Sequence, residues 1–141
     1  MIADIYLVSN SNPNSIVGRP TIYFVIDVFS RLVTGFYIGF ESPSYLAAIQ
    51  ALNLAMTDKV KYCAEYGINI QSEDWPAIGL PDALLADRGE LLGYQIEALE
   101  KTFAVRIENA PARRGDAKGI VEQAFNTYQA YFKKEGKGKG V

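Results

Sequence analysis

The chain has 141 residues, of which 49% are hydrophobic, so it is long enough and apolar enough to bury one core of ordinary domain size. It contains no histidine and one cysteine, which excludes Ser-His and Cys-His mechanisms, histidine-based zinc sites and an internal disulfide. No apolar run reaches the ~18 residues of a membrane span, and the first residues do not have the pattern of a signal peptide. Any catalysis would therefore depend on carboxylates, lysines, hydroxyls or metal ions held by oxygen.

The formal net charge of −2 is unevenly distributed along the chain. Residues 1–100 contain five Lys and Arg against twelve Asp and Glu, a net charge of −7. Residues 101–141 contain nine against four, a net charge of +5. This asymmetry favours one basic face for an anionic partner, although the lysines after residue 130 also fit an ordinary solvated helix and tail.

The first part of the chain predicts three strands. Residues 2–8 are rich in β-branched and aromatic side chains and predict a strand, and residues 9–19 are turn formers that predict a loop. Residues 21–28 and 32–40 predict two further strands. Because only three residues separate them, they should form a tight antiparallel hairpin.

A long helix is predicted over residues 43–66, where apolar side chains recur mainly at helical spacing. Ser42 is a suitable N-cap, Pro43 suits the first helical position, and Gly67 can end the helix. Cys63 falls inside this pattern, which indicates a small buried hydrophobic side chain and not a nucleophile.

The second half alternates strands and helices. The predicted segments are an irregular loop over 68–81, a buried strand over 82–86, a helix over 91–102, a strand over 103–108, a polar loop over 109–117 and a helix over 119–134. The order β-β-β-α-β-α-β-α predicts one α/β domain with a mixed five-stranded sheet flanked by helices. The RNase H-like fold has this layout, and other α/β folds share the pattern.

Two carboxylates stand where α/β folds place active sites. Asp87 follows the strand at 82–86, and the carboxyl ends of strands are common ligand sites. Glu122 stands in the first turn of the last helix. Each has a simpler explanation when taken alone: Asp87 and Gly89 suit a turn, and a carboxylate is favourable near a helix N-terminus.

The two carboxylates are more informative as a pair. Glu122 follows Asp87 by 35 positions, with one helix, one strand and one loop between them, a spacing typical of the DDE transposases. Such enzymes need clustered carboxylates because two Mg²⁺ ions, ~3.5–4 Å apart, act on a phosphodiester that is already negative. Mg²⁺ prefers oxygen ligands, so a cluster without histidine suits it.

Three segments extend the resemblance over nearly the whole chain. Residues 19–31 (RPTIYFVIDVFSR), 79–90 (GLPDALLADRGE) and 114–122 (RGDAKGIVE) resemble the integrase-core segments of the TnsB transposases of multi-subunit bacterial transposons. The resemblance implies an RNase H-like fold, with residues 1–141 forming an integrase catalytic core.

The resemblance also implies an activity. The expected reactions are Mg²⁺-dependent phosphodiester cleavage at transposon ends and strand transfer into target DNA, with Mn²⁺ as a substitute ion. Asp87 and Glu122 would be the catalytic residues and metal ligands. The expected partners are DNA and other transposase subunits, in an oligomer of the intact protein in the bacterial cytoplasm, without a membrane.

One catalytic aspartate of that family has no counterpart in the chain. The resemblance places it in the first strand, just before Met1, so the chain is expected to be truncated there and inactive alone. Asp4 is an odd number of positions from the expected site, so it should face the other side of the sheet. Asp27 is interpreted as a residue of the hairpin turn.

Basic residues next to the proposed metal site suggest DNA contacts. Arg113, Arg114 and Lys118 precede Glu122 and would contact phosphates, and Arg88 beside Asp87 is a weaker candidate of the same kind. Two other functions stay open: a nuclease of the same fold that only hydrolyses, and a non-catalytic scaffold that binds DNA or partner subunits.

Overall fold

The computed structural model describes residue 3 and residues 6–42, 44–86, 94–109 and 115–136. The elements in chain order are β1 Leu7–Val8, β2 Ile16–Gly18, β3 Thr21–Ile26, β4 Val33–Gly39, α1 Tyr45–Met56, α2 Lys59–Glu65, β5 Ala83–Ala86, α3 Tyr94–Phe103, β6 Arg106–Asn109 and α4 Gly115–Gly136. The mixed α/β class predicted from the sequence is therefore confirmed.

The antiparallel hairpin of β3 and β4 is the predicted one, trimmed at both strand ends. Its register pairs Thr21 with Gly39 and Phe24 with Phe36, with an irregularity after Val25. A hydrogen-bonded turn joins the strands: the backbone of Asp27 accepts from Arg31 N and donates to Leu32 O, both at 2.9 Å.

Helix α1 packs against one face of this hairpin. Tyr23, Ala47 and Ala51 form a buried cluster between β3 and α1, and Val25 packs against it. The close approach depends on Gly35 of β4, because an added Cβ there would overlap the α1 backbone at Ala51 and Ala55. The core therefore lies between α1 and the hairpin of β3 and β4.

The long helix predicted over residues 43–66 is divided into two. Helix α1 begins after Ser44, whose side chain accepts from Ala47 N, so the cap predicted at Ser42 is wrong by two residues; Pro43 lies outside the described residues. The break follows Met56, because Asp58 is extended and its side chain accepts from Val60 N, which starts α2. Gly67 follows the end of α2 with a φ of +71°, a conformation that glycine adopts readily.

The second half contains a parallel strand pair. Strands β5 and β6 pair in parallel, from Ala83 with Arg106 to Ala86 with Asn109, and α3 lies between them in the sequence. The predicted strand at 103–108 begins later than expected, because Phe103 still belongs to α3 and Ala104 turns the chain with a φ of +52°.

The single five-stranded sheet expected from the sequence is not found among the described residues. They form three two-stranded sheets, β1–β2, β3–β4 and β5–β6. Part of the loop predicted at 9–19 forms β2, because the turn at Asn12–Ser15 directs Ile16–Gly18 back along Leu7–Val8. Strands β3 and β5 belong to different sheets, and both line one cleft.

Helix α4 is longer than predicted and starts inside the expected polar loop 109–117. Two of its rings, Phe125 and Tyr128, contact Phe24 of β3, on the side of the hairpin away from α1. Among the helices that the structure describes, none combines the length and apolar character needed to cross a bilayer.

Candidate functional site in the cleft between the two strand pairs

A cleft of about 770 Å³ lies between the β3–β4 and β5–β6 pairs. Its walls are strand β3 with its turn, part of α1, the loop at 76–81, strand β5, and Ile120 and Val121 of α4. The walls are mainly apolar, and their polar side chains include Asp27, Ser30 and Glu108. Ala86 and Val121, which line the cleft, directly precede Asp87 and Glu122 in the sequence.

Two acidic side chains among those lining the cleft already have partners. Asp27 Oδ2 accepts from the backbone N and the Oγ of Ser30, at 2.7 and 2.6 Å. These hydrogen bonds hold the pKa of the Asp27 carboxyl below its ordinary value, and the one from the Ser30 side chain has the larger effect. Glu108 accepts from Arg106 Nε at 3.0 Å. Asp27 therefore organises the hairpin turn, as predicted.

Glu122 is the predicted site residue whose side chain the structure describes. It follows Val121, a lining residue of the cleft, and it is exposed. Within the described part of the chain, no hydrogen bond or ion pair involves its carboxylate. Glu122 thus differs from Asp27 and Glu108, whose carboxylates have partners among the described residues.

The other predicted site residues are not described in full. Asp87 directly follows Ala86, the last residue of β5, but Asp87 itself lies outside the described residues, as do Arg88, Arg113 and Arg114. Lys118 belongs to α4, but its side chain lies outside them. The Asp87–Glu122 pairing therefore stays a prediction.

The carboxylates can be compared with the requirements of Mg²⁺. Among the described residues, no three acidic, histidine or cysteine side chains form a group that could hold a metal ion. The donor chemistry is nevertheless suitable, because the whole chain lacks histidine and offers oxygen ligands. A site would need Asp87 together with Glu122, and the described part supplies only the second.

A buried lysine that the sequence analysis did not identify fixes one wall of the cleft. Lys59 is 2% exposed, and its Nζ donates to the backbone oxygens of Ala55, Thr57 and Ala77 at 2.6–2.9 Å. It also lies over the ring of Trp75, 5.4 Å from its centroid. The side chain joins the end of α1 to the loop at 76–81. Because its partners are backbone carbonyls, one of them 18 residues away at Ala77, no sequence pattern would have revealed this role.

Comparison with known proteins assigns a family to the chain. The family model described as the TnsB C-terminal domain matches residues 1–138. The Tn7 transposition protein TnsB of Escherichia coli is 63% identical over 132 residues, which cover 94% of this chain and 19% of that protein. The transposase of transposon Tn552 of Staphylococcus aureus is 20% identical over 132 residues, which cover 93% of this chain and 25% of that protein.

The chain thus spans only about a fifth to a quarter of the length of these relatives. The description of the matching family names a C-terminal domain, whereas the sequence analysis expected an integrase catalytic core. The match therefore assigns the chain to the family of TnsB C-terminal domains and does not show an integrase catalytic core.

Proposed function

We propose that this chain, which belongs to the family of TnsB C-terminal domains, binds DNA and partner subunits during transposition. It would do so as one domain of a TnsB-type transposase. The observation that carries the proposal is the segregation of charge, with a net charge of +5 in residues 101–141 against −7 before them. A segment with an excess of basic groups attracts phosphates even when the net charge of the whole protein is negative.

The DNA contacts are assigned to the start of α4. Arg113 and Arg114 immediately precede this helix, and Lys118 lies in its first turns. Phosphates bind well near helix N-termini, where backbone N–H groups and the helix dipole add to the side-chain charge. Arg88 would add a contact from the end of β5. These interactions are to backbone phosphates, so they would position DNA without reading its sequence.

A second, finer function is supported by the arrangement around the cleft. Strand β5 ends at Ala86 in the cleft wall, immediately before Asp87, and Val121 of α4 lines the same cleft immediately before Glu122. The two relatives, one named a transposition protein and the other a transposase, align with 93–94% of this chain. We propose that Asp87 and Glu122 take part in phosphodiester cleavage at transposon ends and in strand transfer.

In this second function, Asp87 and Glu122 would hold Mg²⁺, or Mn²⁺ as a substitute. Bound metal would stabilise the negative charge that develops on the phosphodiester. The role of this chain would be to hold the two carboxylates in place. Asp87 would be positioned by the end of β5 and Glu122 by α4. Arg113, Arg114 and Lys118 would orient the DNA backbone beside them. The intact protein is proposed to work as an oligomer in the cytoplasm, with other transposase subunits.

Charge-removing substitutions in the full-length transposase separate the two functions. Asp87→Asn and Glu122→Gln should abolish end cleavage and strand transfer and change DNA affinity by no more than about twofold, because these groups serve the metal and not the phosphates. DNA affinity is measured by fluorescence anisotropy, and cleavage and joining on labelled transposon-end DNA. Glu97→Gln, an exposed carboxylate of α3, is the control and should leave both unchanged.

The outcomes distinguish the proposals. Wild-type cleavage by Asp87→Asn and Glu122→Gln would reject the catalytic function and leave the binding function intact. Cleavage and DNA affinity that fall together would mean that the carboxylates support the DNA-binding surface. Unchanged affinity after Arg113→Ala with Arg114→Ala would reject the binding surface assigned to α4.

A further inference from the structure

Helix α4 is attached to the central hairpin by an aromatic contact. The rings of Phe24 and Phe125 are stacked, with centroids 4.8 Å apart and an interplanar angle of 24°. The ring of Tyr128, one turn further along α4, lies 4.9 Å from Phe24. We call these three residues the aromatic clasp. One side chain of β3 thus contacts two successive turns of the helix.

Strand alternation explains why Phe24 is available for this contact. Tyr23 and Val25, on either side of it, belong to the core formed with α1. Because successive side chains of a strand point to opposite faces, Phe24 points away from α1, toward Phe125 and Tyr128. Phe24 also lines the cleft, so the clasp lies at its border.

The clasp is close in sequence and in space to the proposed metal ligand. Glu122 precedes Phe125 by three residues, and residues at this spacing are neighbours on one side of a helix. A rotation or shift of α4 about the clasp would therefore move the Glu122 carboxylate. Misplacement by about 1 Å can reduce the rate of a catalysed reaction about 100-fold, and Mg²⁺ requires near-ideal octahedral ligand geometry.

We infer that Phe24 is a positioning residue, which through Phe125 and Tyr128 sets the placement of α4 and thereby of Glu122 at the cleft. The inference rests on the second proposed function. Phe24 contacts neither metal nor DNA in this assignment. Its loss should therefore change the metal dependence of cleavage more than the affinity for DNA.

The test uses the full-length transposase with Phe24→Leu, Phe125→Leu and the double variant. Leucine keeps an apolar side chain and removes the stacking. Each single variant should cleave about 10- to 100-fold more slowly in Mg²⁺ and need a higher Mg²⁺ concentration for half-maximal cleavage, with Mn²⁺ restoring part of the rate. The double variant should be about as slow as Phe24→Leu, because Phe24→Leu already removes the contact with Phe125. DNA affinity should stay within about twofold.

Phe29→Leu is the matched control, because this ring lies in the turn of the same hairpin and is 97% exposed. It should cleave like the wild type. Thermal unfolding tests whether Phe24→Leu still folds. If it does not, Tyr128→Leu is the milder variant, because Tyr128 is 38% exposed and makes one of the two contacts with Phe24. It should show the same change in Mg²⁺ dependence with a smaller loss of rate.

Three results separate failure of this inference from failure of the proposed function. If Asp87→Asn and Glu122→Gln still cleave DNA, the proposed catalytic function is wrong. If those variants are inactive but Tyr128→Leu and every folded leucine variant keep the wild-type rate and Mg²⁺ dependence, the positioning role is wrong. A slower rate with unchanged Mg²⁺ dependence and parallel loss of DNA affinity also overturns it, because it indicates a general structural defect.

Discussion

Asp27 shows how the immediate surroundings of one residue decide its role. Its carboxylate borders the cleft, as a catalytic aspartate would, but it accepts two hydrogen bonds from Ser30 within the hairpin turn. The chain reverses there through Arg31, whose φ is +64°. The structure therefore places Asp27 in the hairpin turn, as its position in the segment DVFSR at residues 27–31 had indicated.

The lowered pKa of Asp27 predicts a pH-dependent contribution to stability. Because the pKa is lower in the folded state than in the unfolded one, the contribution is complete above about pH 4–5 and is lost as the pH falls through the folded-state pKa. Asp27→Asn should therefore be less stable than the wild type near neutral pH, and the difference should shrink at acid pH. Urea unfolding of the purified chain at several pH values between about 2 and 7 measures this difference.

Ser30→Ala is the matched control for this effect, because it removes the side-chain hydrogen bond that contributes most to the shift and keeps the carboxylate. It should lose part of the same pH-dependent stability. A stability difference between wild type and Asp27→Asn that stays constant across the acid range would contradict the assignment of the shift to this turn.

At the scale of elements, local patterns predicted which segments are helices and strands better than where they end. The β3–β4 hairpin, β5 and α3 are found where their side-chain periodicity placed them. The break between α1 and α2 was missed because Thr57 and Asp58 interrupt an apolar period that continues beyond them. Strand β2 was missed because its pairing depends on β1, and a turn-rich sequence gives no sign of that partner.

The approach of α1 to β4 yields a prediction about glycine. A Cβ on Gly35 would be 2.5 Å from Ala55 N and would overlap the helix backbone, so Gly35→Ala must push α1 away from the sheet. We expect a loss of about 1–3 kcal/mol in the free energy of unfolding, measured by chemical denaturation of the purified chain.

Gly119→Ala provides the comparison on α4. An added Cβ there has no neighbour within 4 Å among the described residues, and alanine is the better helix former. This variant should be neutral or more stable by up to about 1 kcal/mol. Equal effects at the two glycines would show that the close approach of α1 to β4 does not limit stability.

For the whole molecule, the α/β class could be predicted from the order of the elements, but the arrangement of the sheets could not. Pairing between distant strands depends on contacts that a single sequence does not encode in its periodicity, and the described strands form three separate pairs. The candidate site was also predictable only in part. The positions of Asp87 and Glu122 follow from spacing and resemblance, whereas the aromatic clasp and Lys59 depend on three-dimensional contacts.

The distribution of charge over the whole molecule predicts weak and salt-sensitive DNA binding by the isolated chain. The net charge of −2 opposes binding at long range, and the basic residues that favour it are concentrated in residues 101–141. Affinity for duplex DNA should lie in the range of non-specific binding, with a dissociation constant of about 10⁻⁴–10⁻⁶ M at physiological salt. Fluorescence anisotropy at increasing salt concentration gives both the affinity and its salt dependence.

The same measurement locates the contacts on α4. Each phosphate contact that is lost should reduce the slope of log affinity against log salt by about 1, so Arg113→Ala with Arg114→Ala should reduce it by about 2. Lys133→Ala with Lys134→Ala removes the same charge from the exposed far end of the helix, where the sequence analysis assigned no DNA contact. If both double variants weaken binding and reduce the slope equally, DNA recognises only the overall charge of this segment. The assignment of the DNA contacts to the start of α4 would then be wrong.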